Sequence, residues 1–392
     1  MKRILIASCL LSLTLFPSCK GEVSNSAELD SKDMAVATKT LKPEPTKHYI
    51  KVALLLDTSN SMDGLIDQAK AQLWEIVNEL SYARCKSVQP NLQIALYEYG
   101  NDGLPSAEGY IRQVLNFTQD LDEVSKELFS LSTNGGSEFC GQVVQTSLNQ
   151  LDWGRDGDDL KMVFIAGNEP YTQGKVNYKD AAVNAKEKGV VVNTIFCGNY
   201  EQGIHTMWKD GADLTYGDYM AIDQNKRTVH IASPYDDLIL ELNLKLNKTY
   251  VRYGSIGYAK AEMQVAQDEN AESYSKANAV SRTVSKGSGM YKNTSWDLVD
   301  AMEADEDFEL EELEEEYLPE ELKGKSEEEI KAYVAKQAAT RAEIQAEIQK
   351  LNEKRRVFIA NKQKEEGTNG LGNAMLEAIK RQAEKKNYTW DR

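Results

Sequence analysis

The patterned part of the chain begins at His48. From there to Leu56 the sequence is apolar at nearly every position, as expected of a central parallel strand covered on both faces. A helical spacing follows, with Leu65, Ile66, Ala69, Leu73, Ile76, Val77 and Leu80 on one side. Leu92–Tyr99 predicts a second strand, and the alternation over Tyr110–Phe117 predicts a third at a sheet edge. Helices are expected over Asp120–Phe129 and Val143–Leu151. A wholly apolar strand is expected at Leu160–Ala166, and a helix over Tyr178–Lys188 stopped by Gly189. Strands at Val190–Phe196 and, more weakly, Tyr219–Ile222 precede a closing helix at Asp236–Leu246.

Strands alternating with helices predict an α/β domain over residues 48–247. Its core would be a doubly wound, mostly parallel six-stranded sheet flanked by helices, Rossmann-like in layout. Ligands of such sheets sit beyond the carboxyl ends of the strands. An α-helical C-terminal extension follows. Residues 248–302 are polar and Ala-rich and predict one helix over Tyr258–Ser285 and a short amphipathic one at Asp297–Met302. Residues 303–323 are acidic, with no base between Glu303 and Glu321, and are expected to be solvated or disordered. Residues 324–392 return to helix formers. Ile344, Ile348, Leu351 and Phe358 form a seam in Ser326–Lys362 that Arg341 and Arg355 interrupt. A break at Gly367–Gly372 precedes a last helix at Ala374–Lys386.

Residues 1–18 read as a signal peptide, with Lys2 and Arg3 ahead of an apolar run from Ile4 to Leu15 that is too short to span a bilayer. Phe16-Pro17-Ser18-Cys19 resembles a lipobox, which implies lipidation of Cys19, although Phe16 stands where lipoboxes usually carry Leu. An ordinary cleaved signal is the alternative, and both take the chain out of the cytoplasm. Residues 19–47, rich in Ser, Lys, Glu and Pro, are expected to be a flexible tether. No later run is long and apolar enough to span a membrane, so the lipid would be the sole anchor in the cell envelope. Lys20 is not the Asp that retains lipoproteins in the inner membrane of some bacteria, which points to the outer one.

The net charge of −16 argues against nucleic acid, whose phosphates such a surface repels. Basic partners or divalent cations suit it better. The hydrophobic content of 41% suffices for one well-buried core.

Asp57, Ser59 and Ser61 follow the first apolar strand directly and lead into an amphipathic helix. One carboxylate and two hydroxyls on such a turn offer hard-cation ligands. With Leu54-Leu55-Leu56-Asp57-Thr58-Ser59-Asn60-Ser61-Met62 and the order of strands, the chain from His48 to Leu246 resembles the von Willebrand factor A family. In that family these residues open a metal-ion-dependent adhesion site. The resemblance implies Mg²⁺ (or Mn²⁺ or Ca²⁺) at Asp57, Ser59 and Ser61. Ser137 in Gly135-Gly136-Ser137 would take the place of the family's third hydroxyl, with a turn serine as the alternative. The family's second carboxylate is missing: Phe164-Ile165-Ala166-Gly167-Asn168-Glu169 puts Gly167 where the Asp belongs. Asn168 can offer an amide oxygen, and Glu138, Glu169 or Asp63 a substitute carboxylate.

Beyond the leader and Cys19, three cysteines remain. Cys140 and Cys197 fall at the carboxyl end of the sheet and Cys85 at the far end of the first helix, which favours a Cys140–Cys197 disulfide; three buried thiols are the alternative. His48, His205 and His230 have no partner at metal or triad spacing and are expected on the surface or in strands. No G-x-S-x-G elbow occurs. Lys323-Gly324-Lys325-Ser326 lacks the first glycine and the strand of a phosphate loop, and Ser59 stands where a haloacid-dehalogenase-type phosphatase needs its second Asp. The expectation is therefore a tethered protein-binding module, not an enzyme, whose apex a divalent cation and a partner's Asp or Glu would complete. The competing reading is a metal-independent scaffold acting through the acidic and helical tail.

Overall fold

The computed structural model describes residues 47–223, 231–305, 307–310, 313–366 and 371–390. The leader, Cys19, the tether up to Thr46, His230 and most of the expected break at Gly367–Gly372 lie outside them.

The α/β part runs β1 (Tyr49–Asp57), α1 (Asp63–Leu80), β2 (Ala83–Cys85), β3 (Asn91–Tyr99), β4 (Ile111–Thr118), α2 (Leu121–Ser130) and α3 (Cys140–Gln150). It continues with β5 (Leu160–Gly167), α4 (Tyr178–Glu187), β6 (Val191–Cys197), α5 (Tyr200–His205), α6 (Trp208–Asp213), β7 (Tyr219–Ile222) and α7 (Asp236–Asn247). The tail adds α8 (Gly257–Tyr274), α9 (Lys276–Lys286), α10 (Leu298–Ala304), α11 (Glu327–Glu366), α12 (Leu371–Glu384) and β8 (Tyr388–Trp390).

Six strands form one sheet in the order β4-β3-β1-β5-β6-β7. Every pairing is parallel except that of the edge strand β4 with β3. This is the sheet that the alternation predicts. β1 lies at the centre, with Leu54 level with Leu96 on one side and Phe164 on the other. Because side chains alternate across a strand, Val52 and Leu56 enter one core and Ala53 and Leu55 the other. The first core is closed by α1 and α2 (Trp74, Val77, Val124), the second by α3, α4 and α6 (Val143, Ala181, Trp208).

The tail does not stand apart from this sheet. Met375, Ala378, Ile379 and Ala383 of α12 are buried in the first core with Ile195 and Ile222, so a helix nearly 200 residues downstream closes a face of the sheet that parallel strands cannot leave wet. β8 pairs antiparallel with β2, Cys85 opposite Tyr388; neither three-residue strand is long enough to show a sequence period. The helix expected over Tyr258–Ser285 is two helices. Ser275 is extended and its hydroxyl accepts from Asn278 N at 3.1 Å, an N-cap that starts α9 afresh. Arg282 and Lys286 of α9 are fully buried. Arg282 meets Asp122 and Asp268 at 2.6 Å and stacks on Trp74, and Lys286 meets Asp268 at 2.9 Å.

Three further expectations are corrected. The acidic stretch 303–323 buries Leu310, Leu318 and Leu322 against Val251, Leu298, Ile330 and Val334, because those leucines punctuate the glutamates at turn spacing. Arg341 and Arg355 belong to the seam of α11 instead of breaking it. Arg341 reaches Asp297 at 2.7 Å and Asp300 at 2.8 Å, and Arg355 reaches Asp236 at 3.1 Å. Finally, Cys140 and Cys197 form no disulfide: Cys85, Cys140 and Cys197 are buried free thiols. Both lie at the carboxyl end of the sheet, but Cys140 packs in the core on one face and Cys197 in the core on the other.

Candidate functional site

Three turns meet beyond the carboxyl end of β1. The first is the end of β1 itself. Thr58 N donates to Tyr99 O at 2.8 Å, and Ser59 N donates to Asp57 Oδ1 at 2.7 Å, which wraps the turn around a fully buried carboxylate. The second is the loop before α3. Asn134 N donates to Thr58 O at 2.9 Å and Asp102 N to Gly135 O at 2.5 Å, drawing the loop onto the ends of β1 and β3. Gly136 permits this approach, since a Cβ there would lie 2.4 Å from Gly100 O. The third is the end of β5, where Asn168 Nδ2 donates to Ser61 Oγ at 3.0 Å; that hydroxyl lies 3.4 Å from Ser59 Oγ.

Asp57, Ser59, Ser61 and Asn168 are thus brought together. Ser137 is half-buried in the second turn. Its neighbour Glu138 is the residue whose carboxyl meets Asp57, held by donation from Glu138 N to Gln173 Oε1 at 2.7 Å. Asp63 is committed elsewhere, as acceptor for the Thr133 hydroxyl. Glu169 is exposed at the rim, close enough for its charge to act on Asp57 and Glu138.

The missing family Asp has a steric explanation. A Cβ on Gly167 would lie 2.5 Å from the Tyr99 hydroxyl and 3.1 Å from Asp57 Oδ2. Tyr99 is itself fully buried and donates to Ala166 O at 2.9 Å. A side chain at residue 167 would press on the Tyr99 hydroxyl, and the carboxylate that lies against Asp57 is that of Glu138 on the neighbouring turn. In sequence, Glu138 is only one of several acidic residues near the apex.

The electrostatics are those of two acids forced together. Burial raises the Asp57 carboxyl above the usual range, although hydrogen bonds from Glu138 and Ser59 oppose the shift. Burial, and then Asp57 itself, push Glu138 up to about 9. Asp57 Oδ2, Glu138 Oε2 and Asn168 Oδ1 are buried acceptors with no donor in reach. Unpaired buried acceptors are costly, and a shared proton or a cation satisfies them. The donors are all oxygens: two carboxylates, two hydroxyls and an amide. That set fits a hard divalent cation.

Residues 51–214 match the family model of the von Willebrand factor type A domain. No curated protein matches the chain. Among solved structures, the conserved hypothetical protein BatB from Bacteroides thetaiotaomicron is 17% identical, with 44% of this chain and 90% of that one covered and a TM-score of 0.34. The SpRpn10 VWA domain is 13% identical, covering 45% and 90%, with a TM-score of 0.34. An aerotolerance-related membrane protein from Bacteroides fragilis, carrying multiple mutations to serines, is 16% identical, covering 44% and 92%, with a TM-score of 0.31. The segment 51–214, which carries most of the six-stranded sheet, is thus similar to a von Willebrand factor type A domain and is set within a longer chain.

Proposed function

We propose that this chain is a lipid-tethered protein-binding module of the bacterial envelope, most simply of the outer membrane, and that it binds rather than catalyses. The apex holds Mg²⁺, or Mn²⁺ or Ca²⁺ in its place. The observation that carries the metal reading is the convergence of three donorless buried oxygens, Asp57 Oδ2, Glu138 Oε2 and Asn168 Oδ1, from separate turns. When bound, a divalent cation supplies an open coordination position for a carboxylate on a partner protein. Asp57 and Glu138 neutralise it and lose their shared proton. Ser59 and Ser61 complete the oxygen set, Ser137 offers a further hydroxyl from the loop that carries Glu138, and the rim charge of Glu169 favours cation over anion. The envelope location rests on the leader and on Cys19, and among the described residues no helix is long and apolar enough to cross a membrane.

Calorimetric titration of the full chain with each cation tests the site: binding should weaken in Asp57→Ala and in Glu138→Gln, and no heat from any of the three ions would refute the metal reading. Partner capture that survives Asp57→Ala unchanged would favour the metal-independent scaffold. Truncation at Leu246 does not separate the two readings, since it removes the α12 residues that close the sheet.

A further inference from the structure

A second cluster lies at the opposite end of the sheet, where the parallel strands begin. His48 immediately precedes β1, and Asp156 and Asp159 lie in the loop that leads into β5. His48 is 2% exposed, and neither Nδ1 nor Nε2 has a hydrogen-bond partner. A neutral imidazole carries one donor and one acceptor, and leaving both unsatisfied in the interior costs free energy. One ligand atom from each of His48, Asp156 and Asp159 lies within 4.8 Å of the other two.

The loop is held in place by hydrogen bonds that involve neither nitrogen of His48. Asp159 Oδ1 accepts from Tyr49 N at 2.9 Å, and Asp156 Oδ1 accepts from Asp158 N at 2.9 Å. The surrounding lysines are engaged by other groups. Lys51, Lys161 and Lys386 donate to the main-chain oxygens of Asp152, Gly154, Gly157 and Asp159, and Lys86 pairs with Asp158. These contacts fix the loop beside His48 and leave the carboxylates of Asp156 and Asp159 as its facing acids.

The geometry points to a second metal site here, formed by His48, Asp156 and Asp159 and taking Zn²⁺ or a similar borderline divalent ion. One imidazole nitrogen with two carboxylate oxygens is a ligand set for such ions, whereas Mg²⁺ and Ca²⁺ prefer oxygen alone. Bond lengths of about 2.0–2.2 Å place tetrahedral ligands about 3.3–3.6 Å apart. The three ligand atoms, within 4.8 Å of one another, need only a small approach to reach that spacing, and Asp156 is the exposed member of the set. The ion ties the start of β1 to the loop before β5, and water fills its remaining position. This site stands apart from the apex in ligands, in metal class and in place, so either reading can fail while the other stands.

The test uses the full chain stripped with a chelator. Zn²⁺ is titrated by calorimetry and Co²⁺ by visible absorption, for the unaltered chain and for His48→Gln, Asp156→Asn and Asp57→Asn. We expect Zn²⁺ affinity to drop by at least about tenfold in His48→Gln and in Asp156→Asn, and to be unchanged in Asp57→Asn and in excess Mg²⁺. Asp156 is exposed, so its variant reports on the site even where the His48 variant fails to fold. Absence of Zn²⁺ binding, affinity unaltered by Asp156→Asn, or loss only in Asp57→Asn overturns the assignment.

Discussion

The hydroxyl of Tyr99 occupies the space into which any side chain on Gly167 would project, 2.5 Å from the position of its first carbon. The metal-ion-dependent adhesion pattern asks for an Asp at that position, so restoring it is a direct test of the apex. Gly167→Asp should destabilise the chain by about 1–3 kcal/mol, the usual cost of overpacking. Tyr99→Phe in the same background should recover part of the loss, since the hydroxyl is the nearest obstacle. Thermal denaturation reads both. A Gly167→Asp chain as stable as its parent would show that the turn yields easily and that Glu138 is not a substitute imposed by steric need.

The Asp57–Glu138 pair should make the metal-free protein less stable as pH rises. Folded Glu138 keeps its proton up to about 9, against an ordinary value of 4.5. Between those values the unfolded chain has released a proton that the folded chain retains, so stability is highest on the acid side of this window and declines across it. In the presence of chelator, the urea midpoint at about pH 8 should fall below that at about pH 5.5. Glu138→Gln should flatten this slope, and a slope unchanged by the substitution would remove Glu138 as its source.

Asp268 neutralises two fully buried cations, Arg282 and Lys286. Burial alone would raise its carboxyl, but Lys286 and Arg282 outweigh that and hold it well below the usual range. Its contribution is therefore complete above the ordinary carboxylate pKa and is lost as pH falls through the depressed one. Asp268→Ala leaves Lys286 without a carboxylate and Arg282 with Asp122 alone, and should cost about 3–5 kcal/mol, measured by chemical denaturation. A cost below about 1 kcal/mol, the scale of an exposed pair, would mean that water reaches the network.

The cysteines offer a chemical check. Burial raises the thiols of Cys140 and Cys197, and the cores on either side of the sheet enclose them. Neither should react with an aromatic disulfide reagent until the chain is unfolded, and non-reducing peptide mapping should recover each as a thiol. Recovery of a linked Cys140–Cys197 peptide would contradict the packing.

The leading α/β unit was legible because its information is local. Near-continuous apolar runs such as His48–Leu56 and Leu160–Ala166 describe strands buried on both faces, and the helical spacing from Leu65 to Leu80 describes a helix on one of them. Asp57, Ser59 and Ser61 were legible for the same reason, since a strand, a turn and a helix follow one another without interruption. What the sequence left open depends on contacts between distant segments. Glu138 at the apex, Tyr99 against Gly167, α12 on the sheet face and His48 beside Asp156 and Asp159 are each juxtapositions across many residues. The disulfide expectation went astray in the same way. Position at the end of a strand or the start of a helix fixes which end of the sheet a cysteine occupies, but the core it enters is set by packing. Periodicity reports which side of an element is buried, and only the assembled fold decides what it is buried against.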